Sequence, residues 1–383
     1  MVYLDHASAM PVDPRVLAFA RRYLEEEFGN PSSLYDRGLS TRRAVEAARG
    51  EVAALVNTGD PRSIVFTGSA TESNNLAIRG TALRNRRKGK KILVSAIEHI
   101  SVMNPAKDLQ KQGFELEFIP VDRYGIVDLT ALEAGLTPET ILVSVNYAND
   151  EIGTVEPIRE VGRVVHEAGA YLHVNATAAA GRIPIDLQQE DGIDLLTLSG
   201  NDLGGPRGAA ALYIRPGVKV QSVMPGGGQE RGLRSGTENV FAIAGMGEAA
   251  RLAAREMADE MEREQAIRDR LIREVLEIEE AGLTGHPTER LPHHASFRFS
   301  RIEGESILLN LDTFFDIQVA TGSACTSRTL EPSHVLLAIG LTHEQAHGSV
   351  VMTLGRSNTV ADVRYVADAM RETVGRLRGI SPL

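Results

Sequence analysis

Lysine is scarce in this 383-residue chain. Only six of its 41 basic residues are lysines: Lys88, Lys90, Lys91, Lys107, Lys111 and Lys219. The first three form one solvated cluster. Lys107 and Lys111 stand at i, i+4 on an expected exposed helix face, and Lys219 follows Pro216-Gly217 just after a strand. A chemistry that needs a lysine amine inside a ligand pocket has few places to find one. Cysteine is scarcer still. The single Cys325 excludes an internal disulfide framework and fits a reducing cytosol. No run of about 18 apolar residues is present, so no membrane span is expected. The opening Met1-Val2-Tyr3-Leu4-Asp5-His6 has neither a basic n-region nor an apolar h-region, so no signal peptide is expected and the cytoplasm is the expected compartment. A net charge of −10 argues against nonspecific nucleic-acid binding. There is no internal repeat and no low-complexity tract.

What remains is an ordinary globular composition, 43% hydrophobic and 24% charged, long enough for two domains. Short apolar runs at 63–67, 91–95, 114–119, 141–145, 171–174, 195–198 and 209–214 read as strands buried on both faces. Helical patterns at 74–86, 104–112, 129–134 and 158–168 lie between most of them, with Asn104 as N-cap and Pro105 at the first helical position. The alternation predicts an α/β domain with a mostly parallel sheet. A charged helix over 247–281 follows. Beyond it come strand-like segments at 295–299, 317–320 and 350–353, a helix near 305–311, and a last helix over 359–378.

Small residues in Phe66-Thr67-Gly68-Ser69-Ala70-Thr71-Glu72-Ser73-Asn74 lie between a strand and a helix start. Such a turn exposes backbone N–H groups that can hold an anion. It belongs to an ordered set of motifs spanning nearly the whole chain. The others are Phe28-Gly29-Asn30-Pro31-Ser32-Ser33, Glu98-His99, Asn149-Asp150-Glu151-Ile152-Gly153 and the loop from Ser199-Gly200 to Gly205-Pro206-Arg207-Gly208. Then follow Arg234-Ser235-Gly236-Thr237, Thr321-Gly322-Ser323-Ala324-Cys325-Thr326-Ser327 and Thr353-Leu354-Gly355-Arg356. In this order they resemble the cysteine desulfurases of the NifS/IscS type, in the class-V aminotransferase family.

The resemblance implies a fold-type I architecture for enzymes that use pyridoxal phosphate (PLP). A large domain would cover 14–250, and a smaller α+β domain would combine 1–13 with 251–383. It implies a phosphate loop at Ala70 and Thr71, a ring-stacking His99, cofactor contacts at Asn149 and Ser199, and Thr237 reaching a second subunit's phosphate site. It also implies Arg356 as the binder of a substrate carboxylate, and a homodimer. Four positions depart from the pattern. Asp202 stands where the lysine that forms an imine with PLP belongs. Asn201 replaces the adjacent histidine, Asn175 replaces the aspartate facing the pyridinium nitrogen, and Ala178 replaces a glutamine or histidine near the phenolic oxygen. Ala9-Met10 stands where Thr-Thr is usual. A carboxylate forms no imine, and a neutral amide cannot stabilise a ring proton as a carboxylate does. The expectation is a chain without covalently bound PLP, and with PLP absent.

Cys325 sits among small and polar residues beside Arg328, which favours the thiolate. In the resembled family this cysteine carries sulfur to a scaffold for iron–sulfur assembly. A cluster takes about four thiolate-type ligands. Cys325 is therefore expected as sulfur carrier, or as ligand of a [2Fe–2S] cluster shared with an IscU-type scaffold. An active desulfurase with noncovalent PLP and a Cys325 persulfide is the alternative. A third reading is a zinc hydrolase, because His343-Glu344-Gln345-Ala346-His347 has H-E-x-x-H spacing. A third ligand is not obvious in the sequence, though Glu372 lies downstream. The histidines His286, His293 and His294 read as structural, in a surface connection.

Overall fold

The structure, a computed structural model, describes residues 1–322 and 332–380. Twelve strands occur among these residues, in chain order β1 (Val2–Tyr3), β2 (Ile64–Thr67), β3 (Lys91–Ser95), β4 (Glu115–Ile119), β5 (Thr140–Asn146) and β6 (Tyr171–Asn175). The rest are β7 (Leu195–Ser199), β8 (Ala210–Ile214), β9 (Ala281–Leu283), β10 (His294–Phe299), β11 (Ile317–Gln318) and β12 (Ser349–Thr353). Seven build one sheet in the order β2-β8-β7-β6-β5-β3-β4, parallel except for β8, which runs against both its neighbours. The mostly parallel α/β sheet expected from the sequence is therefore present.

Alternation of side chains across the sheet explains why its strands read as continuous apolar runs. Leu93, Val143, Leu196 and Leu198 point to one face, where they join Val45 and Val52 of the helix Asp36–Leu55 and Val161 of the helix Ile158–Glu167. Their chain neighbours Ile92, Val94, Leu142 and Leu195 point to the other, against Leu76, Val102 and Leu109. Both faces are covered, as parallel sheets require. β4 departs from the reading because it is an edge strand. Glu115 and Phe118 are exposed, and Glu115 and Glu117 hold Lys91 in ion pairs at 3.3 and 2.7 Å.

Two helices start earlier than the sequence indicates. The helix expected from Asn104 begins at Ile100, capped by the His99 ring, and carries Pro105 in its interior. The long helix runs Val240–Leu276, because the Asn239 side chain caps it by accepting from the Ala242 amide. Its far half packs under a second core, where Ile267, Leu271 and Val275 meet Phe297, Phe299, Val350 and Met352. Val2 and Leu4 belong to the same core. β1 pairs in parallel with β11, and the Thr353 amide donates to the Leu4 carbonyl at 2.7 Å. The N-terminal strip is thus laced to the C-terminal part of the chain. Among the described residues no helix is long and apolar enough to cross a membrane.

The edge strand β2 is anchored by a buried ion pair. Arg49 donates to both carboxylate oxygens of Glu230 at 2.8 Å and to the Ile64 carbonyl at 2.9 Å, while Glu230 also accepts from the Phe66 amide. Both side chains are at most 3% exposed. Removing Glu230 would leave the buried Arg49 with only the half-exposed Glu46 and take the acceptor from the Phe66 amide, at a cost of about 3–5 kcal/mol. Glu230→Ala is expected to lower stability by that amount in urea unfolding. A loss below about 1 kcal/mol would show that the pair does not anchor the strand.

Candidate active site

The C-terminal ends of parallel strands are where α/β sheets place ligands. Here β5 and β6 end at the register partners Asn146 and Asn175, and β7 runs two residues past Thr197, the partner of Asn175, to Ser199. Beyond β7 the chain makes a tight turn, Asn201–Leu203, closed by Gly204 at φ 80°. That turn aims Asp202 into a cavity of about 550 Å³. Ala70, Thr71, His99, Asn175, Ala178, Asn201 and Asp202 all lie on its wall. No lysine lines it among the described residues.

Burial pushes the Asp202 carboxyl up to about 6, while a hydrogen bond from Ser199 and the nearby Arg182 charge pull the other way. Ser199, expected at a cofactor, acts on the Asp202 carboxyl instead of lining the cavity. At the phosphate-type loop, the Gly68 amide donates to Glu72 at 2.7 Å, and Arg234 holds the other Glu72 oxygen at 2.7 Å. One of the loop's anion-facing N–H groups is therefore already satisfied from within the chain. Asn175 accepts from the Thr177 hydroxyl at 2.7 Å and leans on Glu98 at 3.5 Å. Glu98 is fully buried, and burial lifts it to about 7 against hydrogen bonds from Ser144, Asn175 and the His99 amide. Ser144 donates to Glu98 at 2.9 Å and meets His173 Nδ1 at 2.8 Å, and His173 Nε2 faces Thr197 at 3.0 Å. With the Ser144 proton given to Glu98, His173 carries its own proton on Nδ1. Burial drives that ring down to about 3, so it is neutral.

Four of the residues named from the sequence are not on the cavity wall. Asn149 instead ties the turn beneath it, donating to the Ile97 carbonyl and accepting from the Glu151 and Ile152 amides. Ser199 is buried at the end of β7. Thr237 is exposed. Arg356 pairs with Glu256, which Arg15 also grips, and these two arginines hold Glu256 down to about 2. Arg182 is the arginine on the wall. It pairs with the buried Glu264 at 3.0 Å. Cys325 and Arg328 lie outside the described residues.

Sequence reasoning missed several wall residues: Asp5, His6, Asn146, Glu151, His293 and His294. The histidine pair, read as part of a surface connection, is buried at 4% and 0% exposure. His294 donates from Nε2 to the Asp150 carbonyl at 2.8 Å and rests against Gly153. A Cβ on Gly153 would come within 2.6 Å of that ring, and the residue has φ 75°, so only glycine fits the turn. Glu151 is raised to about 8 by burial and by Asp150, and it accepts from the Ser333 hydroxyl. The H-E-x-x-H segment forms a five-residue helix, capped by Thr342 and Gln345. His343, His347 and Glu372 are exposed, and no three His, Cys, Asp or Glu side chains among the described residues converge as a metal site.

The aminotransferase class-V family model matches residues 2–366. A protein of Archaeoglobus fulgidus named cysteine desulfurase IscS 1 is 54% identical over 383 residues, covering 100% of this chain and 99% of the relative. A cysteine desulfurase IscS of Methanosarcina thermophila is 45% identical over 382 residues, covering 100% and 94%. Among solved structures, a NifS-like protein superposes with a TM-score of 0.92 at 32% identity, over 98% of this chain and all of that one. A NifS-like protein from Rickettsia africae gives 0.89 at 31% identity, over 98% and 99%. The resemblance to NifS/IscS-type proteins and the fold-type I architecture are thus borne out. The likeness also weighs against the expectation that PLP is absent, because the matched family is one of PLP enzymes.

The buried acids set a pH dependence. Glu98, Glu151 and Glu156 are raised, to about 7, 8 and 8. Between their unfolded values and these values the folded chain binds more protons, so stability falls as pH rises through that window. The buried histidines act in the opposite sense, but only below about 6.5. From pH 6.5 to 8 the acids act alone. The melting temperature is expected to fall across that interval, less steeply in Glu151→Gln. A flat or rising profile would show that these carboxyls are not protonated in the fold.

Proposed function

Because the chain belongs to the class-V aminotransferase family, we propose that it works beside the sulfur-mobilising members of that family, in iron–sulfur cluster assembly, without forming a lysine imine. Asp202 carries this reading. The position that needs an amine holds a carboxyl, and that carboxyl lies on the cavity wall. The described wall residues do not fit PLP as a covalently tethered group, so no chemical step is routed through it. Asp202 adds negative charge where a phosphate would come close. Like charges about 4 Å apart at an effective dielectric near 20 repel by about 4 kcal/mol.

On this reading the chain acts in the cytoplasm as a homodimer that docks an IscU-type scaffold. Cys325 serves as sulfur carrier, or as ligand to a [2Fe–2S] cluster shared with that partner. The cluster is cargo, and its sulfur comes from another source. The competing reading, an active desulfurase holding PLP noncovalently, draws support from Ala70, Thr71 and His99, which still face the cavity, and from the relatives' names.

One preparation separates the two. Protein purified in the presence of PLP and desalted is expected to be colourless and to release no sulfide from cysteine. A yellow preparation that liberates sulfide at enzyme-like rates would establish the competing reading. For the cluster role, wild type and Cys325→Ser are mixed with scaffold, iron and sulfide. Identical cluster spectra would exclude Cys325 as a ligand.

A further inference from the structure

Polar atoms without partners concentrate on the cavity wall, and most of them accept hydrogen bonds. Among the described residues, Oδ1 of Asp5, Oδ1 of Asn74, both amide atoms of Asn146, and Nδ1 of His293 and of His294 are buried with no hydrogen-bond partner. All five residues line the cavity. An unpaired buried polar group is costly, so this many on one wall point to a ligand that satisfies them.

The surrounding hydrogen bonds decide which of these atoms are acceptors. The Ser101 amide donates to His99 Nδ1, which therefore carries no proton. The Ser101 hydroxyl donates to the same nitrogen at 2.7 Å, so its oxygen accepts from Asn74 Nδ2 at 2.8 Å. Asn74 is thereby held with Oδ1 as its unpaired end. His294 donates from Nε2 to the Asp150 carbonyl, and burial keeps its ring neutral, so its Nδ1 is a bare lone pair. Asn74, Asn146 and His294 are at most 3% exposed. Only Asn146 Nδ2 and, in one tautomer, His293 Nδ1 can donate.

Charge on the wall has the same bias. Asp5, Asp150, Glu151 and Asp202 all line the space. Asp150 acts on both Glu151 and Asp202, which puts these acids near one another. The one arginine of the wall among the described residues, Arg182, is already paired with Glu264 at 3.0 Å. Burial holds His6, His293 and His294 below their ordinary range, so they add no cation at neutral pH. A cation that donates N–H bonds suits such a wall. One ammonium group has three N–H donors. That is fewer than the unpaired acceptors of Asp5, Asn74, Asn146 and His294 together with the Asp202 carboxyl. A second ammonium covers the remainder. Ala148, Ala178, Leu291 and Val351 give the stem between them an apolar lining. A metal ion suits the wall less, because no three His, Cys, Asp or Glu side chains among the described residues converge.

We propose that this cavity binds a short aliphatic diamine in its doubly protonated form, with its ammonium groups meeting Asp202 and the unpaired oxygens of Asp5, Asn74 and Asn146. The ligand carries no carboxylate, since the described wall offers no unpaired guanidinium to receive one. The proposal rests on the reading that PLP does not occupy the cavity. With Asp202 in place of a lysine, the amine comes from the ligand and the carboxyl from the protein. The ligand is bound without a covalent step.

The test uses full-length protein whose visible spectrum shows no bound PLP. A failure of the functional reading is therefore seen before any amine is added. 1,4-Diaminobutane, butylamine, 1,4-butanediol, glycine and magnesium chloride are titrated separately by calorimetry at neutral pH, with melting temperature as a second readout. Diaminobutane is expected to bind and to raise the melting temperature by mass action. Butylamine is expected to bind about 10-fold more weakly or worse, and the uncharged diol not at all. Asp202→Asn keeps the side-chain shape without the charge and is expected to lose about 10-fold or more in diamine affinity. Should it not fold, Asp5→Asn serves for the same comparison. The proposal is overturned if diaminobutane does not bind, if butylamine or the diol binds as tightly, if glycine or magnesium binds more tightly, or if the substituted protein binds the diamine as tightly as wild type.

Discussion

One buried carboxyl governs what this cavity can do, that of Asp202. It stands three residues beyond the last residue of a central strand, in a turn that Gly204 permits by its positive φ. Burial disfavours its charge, while Ser199 and the Arg182 charge favour it. A lysine at the same place would present a flexible amine. The exchange of one side chain therefore changes the sign of the charge at the cavity floor and alters the hydrogen bonding around it.

The rest of the site follows from where strands end. Ser144 and His173 are register partners on neighbouring strands, as are Asn146 and Asn175, and Asn175 pairs in turn with Thr197 on the next. A chain of polar contacts thus crosses three strands from Glu98 through Ser144 and His173 to Thr197. All four residues are fully buried. Such a chain is favourable only when every member is satisfied. Here the inner members are, while the cavity-facing Asn146 is not. Along this chain of contacts, the scaffold side is satisfied and the cavity-facing end is not.

Legibility in the sequence followed the range of the interactions. Strands covered on both faces were readable because their apolar runs need no partner to be recognised. β4 was misread as covered because its edge position depends on the order of strands, which a local pattern does not carry. Asp202 and Asn175 were readable because flanking residues held them in register with a known motif. His293 and His294 were not, because the turn that buries His294 lies 144 residues away at Asp150. Arg182 was hidden for the same reason. Its partner Glu264 is 82 positions distant, on a helix whose charged pattern reads as solvated.

The two arginines near the site show how burial sorts equivalent side chains. Arg356 is 43% exposed and shares Glu256 with Arg15, in an arrangement where solvent screens each charge and the pairing is worth little. Arg182 is 11% exposed and its partner Glu264 is 1% exposed. Its charge cannot be relocated without stranding that acid. A ligand could draw Arg356 away from Glu256 at small cost, whereas Arg182 is a fixed positive charge around which a ligand must arrange itself. The cavity's permanent electrostatic reference is therefore Arg182, with Asp202 as its adjustable counterpart. The wall thus sets a group that cannot change charge beside a carboxyl that burial raises to about 6.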